Sequence, residues 1–102
     1  MSETEGVSLI KKERNRQISD EGWDAAHDAG HADELADAGA AYAVAHAWRG
    51  ADEGAQSAPP EWPWSPVYWK PTPHDRIREL VKAGALIAAA IDSLLAEDAS
   101  NG

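Results

Sequence analysis

Cysteine and phenylalanine are absent from the 102 residues of this chain, and cations are scarce. Without thiols there are no disulfides, no thiolate nucleophile and no Cys-ligated zinc or iron–sulfur centre. No apolar run reaches the ~18 residues that a membrane span requires. Nine Lys and Arg stand against eighteen Asp and Glu, a net charge of −9. Such a field repels phosphate-rich surfaces, so neither nucleic acid nor an anionic membrane is an expected partner. No P-loop, G-x-G-x-x-G or Ser–His–Asp order is present. Met1 to Gly6 is acidic and lacks the basic start and apolar block of a secretion signal, which leaves a cytoplasmic location as the expectation.

What the chain does have is tryptophan. There are five Trp and two Tyr, and Trp62, Trp64, Tyr68 and Trp69 fall close together in a proline-rich stretch. A chain of this length is a single domain with a thin core, burying about two-thirds of its unfolded surface. Association of copies is a common way to add apolar burial, so a homo-oligomer is expected.

The pattern reads as all-α: three helices, with a Pro/Trp-rich extended strap between the second and third. Residues 1–6 read as disordered, 7–96 as one helical domain and 97–102 as a frayed end. The first helix is predicted over Ser8 to Glu21, stopped by Gly22. Val7, Ile10, Arg14 and Ile18 share a stripe flanked by Glu13 and Gln17, so its inward face is unusually polar. Either this helix lies on the surface, or Glu13, Arg14 and Gln17 line a polar pocket. Trp23 to Gly30 reads as a connector.

A second, Ala-rich helix is predicted over His31 to Arg49, with Leu35, Ala38, Gly39, Tyr42, His46 and Arg49 along one side. Ala51 to Pro60 reads as a polar loop. Glu61 to Pro71 cannot be an ordinary helix, since Pro63, Pro66 and Pro71 remove backbone donors. The third helix is predicted to start at Thr72-Pro73-His74-Asp75, with Thr72 as N-cap. Its apolar face comprises Ile77, Leu80, Val81, Gly84, Ala85, Ile87, Ala88, Ile91, Leu94 and Leu95, through about Ala96.

Three constellations bear on chemistry. His27, Asp28, His31 and Glu34 have the i, i+4, i+7 spacing of a metal site on a continuous helix, although Gly30 interrupts it. The competing reading has Asp28 as a helix cap and the histidines at the surface. Glu13, Glu21, Asp28, Glu34 and Asp37 could gather around magnesium, as in all-helical nucleotide pyrophosphohydrolases, but Gln17 puts a neutral amide where that chemistry wants charge. The competing reading is a solvated acidic face. Finally, the cations are Arg14, Arg16, Lys70, Arg76, Arg78 and Lys82; Lys70 adjoins Trp69, Arg76 and Arg78 open the third helix, and Lys82 follows on it. Aromatics that stack a ring beside cations that hold phosphate suit a nucleotide-like anion. The competing reading pairs those cations with acids and makes Trp62, Trp64 and Trp69 a small core.

The segments together resemble a family of small proteins encoded by tailed bacteriophages and prophages. The matching residues are Glu13-Arg14-Asn15-Arg16-Gln17-Ile18, Glu21-Gly22-Trp23, His27-Asp28, His31, Glu34-Leu35-Ala36 and Tyr42-Ala43. Trp62-Pro63-Trp64, Trp69-Lys70-Pro71 and Leu80-Val81-Lys82-Ala83-Gly84-Ala85-Leu86-Ile87 complete the pattern. The resemblance implies a phage origin, the cytoplasm of an infected bacterium and a role in phage–host interaction. It supplies no catalytic residue. Members of the family commonly carry an acid near the position of Ala90, and its replacement here weakens the case for a carboxylate-rich metal site.

Three functions follow as expectations. The favoured one is a binding protein, or sponge, for a small nucleotide-derived anion such as a host immune signal, with no cofactor. Its contacts would be Arg14, Gln17, Trp23, Trp64, Trp69, Lys70, Arg76 and Lys82. The alternatives are a magnesium-dependent pyrophosphohydrolase using Glu13, Glu34 and Asp37, and an inhibitor that binds a host protein.

Overall fold

The computed structural model describes residues 3–22, 30–49 and 58–101. Within them the chain forms three α-helices and no strand: α1 Glu5–Glu21, α2 Ala32–Arg49 and α3 Arg76–Asn101. The strap between α2 and α3 is extended apart from a short 3-10 turn, Pro66–Tyr68. The all-α architecture expected from the sequence is therefore the one observed. No helix among the described residues is long and apolar enough to cross a membrane.

The helix ends differ from the sequence expectation for identifiable reasons. α1 starts three residues early because the Thr4 hydroxyl accepts a hydrogen bond from the Val7 N–H at 3.3 Å, so Glu5 and Gly6 are helical. It stops at Gly22, whose φ of 75° lets its N–H turn back to the carbonyls of Gln17 and Ile18. α3 is capped by Asp75 rather than Thr72. The Asp75 carboxylate accepts from the Arg78 N–H at 3.0 Å, while the Thr72 hydroxyl donates to the Asp75 carbonyl within a preceding turn. At its other end α3 runs on to Asn101 instead of fraying from residue 97. The Glu97 carboxylate there accepts from the Gly30 N–H at 2.9 Å.

α1 and α2 each pack along α3, and among the described residues they do not pack on each other. The core is built from small side chains. Ala38, Ala41, Ala83, Ala85 and Ala89 are buried with Leu35, Leu86, Tyr42 and Trp69. Glycines bring the helices closer still. A Cβ on Gly39 would lie 3.0 Å from the Ala83 carbonyl oxygen, and one on Gly84 would lie 2.6 Å from Ile10 Cδ1.

This close alanine packing decides which part of the broad apolar face of α3 turns inward. Of its predicted apolar face, Val81 and Ala85 are buried, whereas Ile77, Leu80, Ile87, Ile91, Leu94 and Leu95 are exposed. The helix presents its small residues to its neighbours and its bulky ones outward. On α2 the buried stripe likewise runs through Ala45, leaving His46 exposed. The Arg49 side chain lies outside the described structure.

Candidate functional site

Because α1 and α2 splay apart on α3, they leave a cleft of about 620 Å³ between them, roofed by the strap. This is within the ~300–1,000 Å³ typical of small-molecule sites. One wall is the polar face of α1, where Glu13, Arg16, Gln17 and Glu21 recur at helical spacing. The facing wall is α2, with Glu34, Leu35 and Tyr42. Lys82 and Leu86 of α3 form the floor, and Trp62, Trp64, Tyr68 and Lys70 reach in from the strap.

The strap is held by its aromatic rings and by four polar contacts. Tyr42 stacks on Trp69 with ring centroids 4.6 Å apart, and Trp62 meets Tyr42, Trp64 and Trp69 edge-on. The Trp64 indole N–H donates to Glu34 at 3.0 Å, and the Lys70 backbone N–H donates to the Tyr42 hydroxyl at 3.2 Å. Lys82 Nζ donates to the Lys70 carbonyl at 2.9 Å, and the Thr72 N–H donates to the buried Glu79 at 3.2 Å. These bonds let a proline-broken segment keep one shape without secondary structure of its own.

The charged groups fall into two sets. Glu13 is buried and engaged on both oxygens: Arg16 grips it through two bonds of 2.9 Å, and Arg78 reaches Oε1 at 2.9 Å. Burial pushes its carboxyl up, but the two guanidiniums outweigh that and hold it below the usual carboxylate value. The same pairing with Glu13 raises Arg16. Glu34 is lowered by the Trp64 indole and then by His31. In the second set, neither Lys70 nor Lys82 has a carboxylate partner among the described residues. Burial, and then the charge of Arg78, draws Lys82 below the usual lysine value.

Gln17 is the polar residue that stands out. It is 2 % exposed, it belongs to the lining of the cleft, and its side-chain oxygen has no hydrogen-bond partner among the described residues. Nearly all buried acceptors in folded proteins are paired.

Of the ligand contacts expected from sequence, the structure brings Gln17, Trp64, Lys70 and Lys82 to this one cleft. Three others are placed elsewhere. Arg14 points away from the cleft and pairs with Asp92 of α3 at 3.1 Å. Trp69 is sealed behind Tyr42. Arg76 spans α3 and α2, donating to the carbonyls of Tyr42 and Ala43 at 3.3 and 2.6 Å. Trp23 lies outside the described residues. Arg16, Tyr42, Trp62 and Tyr68 line the cleft although they are not among the ligand contacts expected from sequence. The signal for Arg16 was its i, i+3 spacing from Glu13, which predicts the observed ion pair.

The metal candidates do not assemble. His27 and Asp28 lie outside the described residues, and His31 sits at the cleft rim with Nδ1 3.4 Å from Glu34. Asp37 is exposed on α2 and does not line the cleft. Glu13, with both oxygens held by guanidiniums, is not available to magnesium. Among the described residues no three His, Asp or Glu side chains gather around one point.

Comparison with known proteins returns no matching family model, curated protein or solved structure.

Proposed function

We propose that this chain is a binding protein that captures a small molecule combining a planar heteroaromatic ring with an anionic group, the chemistry of a nucleotide-derived compound. The observation that carries the reading is that buried Gln17, whose side-chain oxygen has no hydrogen-bond partner among the described residues, belongs to the lining of the cleft. A buried acceptor left unpaired costs about 1–3 kcal/mol. A ring N–H or exocyclic amine seated against it would remove that cost, because each such group donates one well-directed hydrogen bond.

The rest of the cleft matches the same ligand. The indoles of Trp62 and Trp64 and the ring of Tyr68 offer faces and edges for a base, at about 1–3 kcal/mol per stacked ring. Lys70 and Lys82 supply positive charge with no acid paired to it among the described residues. Sequestration is favoured over turnover by the state of the carboxylates, since Glu13 is tied up by Arg16 and Arg78 and Glu34 by Trp64. A general base has to reach its proton, and these carboxylates are already accepting. Taken with the resemblance to phage proteins, the ligand is a signalling nucleotide of the infected host, held so that its receptor is deprived of it.

Titration calorimetry and native mass spectrometry against 5′-AMP, the 3′,5′-cyclic nucleotides, ADP-ribose and cyclic ADP-ribose test this reading. The expected result is one member of the panel retained intact, with affinity lost in a Gln17→Leu, Trp64→Ala double variant. Failure of all of them to bind, or release of a hydrolysed product, would overturn it.

A further inference from the structure

We infer that the chain forms a twofold dimer in which α3 pairs antiparallel with α3 of a second copy. The inference is independent of the cleft, because Lys82 and Leu86, which floor it, lie on the side of α3 turned away from the surface concerned.

That surface is the outward face of α3. Ile77, Leu80, Ile87, Ile91, Leu94 and Leu95 are each between 44 and 67 % exposed. Five of them, with Gly84, follow the spacing 3, 4, 3, 4, 3: Ile77, Leu80, Gly84, Ile87, Ile91, Leu94. This is the a/d pattern by which one helix seats against another. At about 1.5 Å of rise per residue the seam is about 26 Å long. The notch left by Gly84 is filled by Ile10 of α1, so the apolar surface is continuous. α3 therefore turns its polar side chains toward α1, the cleft and the strap and its bulky aliphatic ones toward solvent.

Size and pattern select a second copy as the occupant. Six aliphatic side chains about half exposed leave on the order of 500 Å² of apolar surface, at the upper end of what a monomer leaves bare. A standard interface takes about 800 Å² from each partner, a total that Ile10, Ala88 and the adjoining backbone bring within reach. A chain of net charge −9 is poorly suited to an anionic bilayer. The 3–4 spacing is self-complementary, as a twofold interface requires.

The direction follows from the ends of the seam. A parallel pair would set Asp98 on Asp98, a like-charge clash. The antiparallel pair layers Ile77 on Leu94, Leu80 on Ile91 and Gly84 on Ile87 of the other copy. It also sets the two Asp98 carboxylates at opposite ends of the seam, each toward the N-terminal end of the other copy's α3.

Sedimentation equilibrium and native mass spectrometry on the full chain at about 50 µM, where a micromolar dimer is mostly formed, should give twice the chain mass. Ile91→Lys, at a side chain the single chain leaves exposed, should give a monomer whose helical circular dichroism is unchanged. Because the chain has no cysteine, cross-linking reads the direction. Leu80→Cys mixed with Ile91→Cys should form a covalent heterodimer on mild oxidation, and neither alone should do so. A chain that stays monomeric throughout this range, that sediments with neutral vesicles through this face instead, or whose single-cysteine variants each link to themselves, overturns the arrangement.

Discussion

Gln17 concentrates the tension between stability and binding in one side chain. It is buried with an oxygen that nothing among the described residues satisfies. Gln17→Met removes the orphan acceptor and keeps the volume, so the variant should gain about 1 kcal/mol in a urea titration. The same substitution should weaken ligand binding by about tenfold, read by calorimetry, since one hydrogen bond to the ring is lost. Lys82 makes a second prediction at this scale. Its lowered pKa means that the ammonium deprotonates below the usual lysine range. Affinity for an anion should therefore begin to fall at a lower pH than an ordinary lysine would allow. Lys82→Arg, whose guanidinium stays protonated, should flatten that alkaline limb.

At the scale of the helices, two glycines at crossings behave differently. A Cβ on Gly39 meets the Ala83 carbonyl oxygen, a backbone atom that moves only if the α2–α3 pair separates. Overpacking of this kind costs about 1–3 kcal/mol, of which helix propensity returns about 1. Gly39→Ala should thus lower stability. Gly84→Ala meets the side chain of half-buried Ile10, which can turn aside, and should be close to neutral in the same thermal melt. The α1 ion cluster sets the acid response. The folded pKa of Glu13 is lowered, so its contribution is fully present above the usual carboxylate range and is lost as pH falls through the lowered value. Glu13→Gln should cost about 2 kcal/mol at neutral pH, since charge-assisted hydrogen bonds to Arg16 and Arg78 are weakened. Stability of that variant should also fall less steeply on acidification, as followed by urea titrations across pH.

For the molecule as a whole, the cleft exists because two helices share a third without touching each other. A ligand seated there would be the main link between α1 and α2. At a hundredfold excess over Kd it should add about 2.7 kcal/mol to global stability. Hydrogen exchange should slow in α1, which is otherwise held by one flank of α3 alone. The antiparallel dimer leaves both clefts open on its outer sides, so the expected stoichiometry is one ligand per chain.

The helices, their number and the strap were legible in the amino-acid pattern, because helix propensity, the Gly22 stop and the proline spacing act locally and no tertiary partner overrides them. The polarity of the inward face of α1 was legible too, and with it Glu13 and Gln17 as residues of interest. Which cations face a ligand was not. Arg14, Arg16 and Arg76 look alike in sequence, and only the packing directs Arg16 to the cleft, Arg14 to Asp92 and Arg76 to the carbonyls of α2. The same holds for α3, where a helix apolar on several faces does not specify which one turns inward. Close approach of alanine surfaces decided that. Contacts between side chains distant in sequence are set by how the helices fit together, and periodicity along one helix carries no record of that fit.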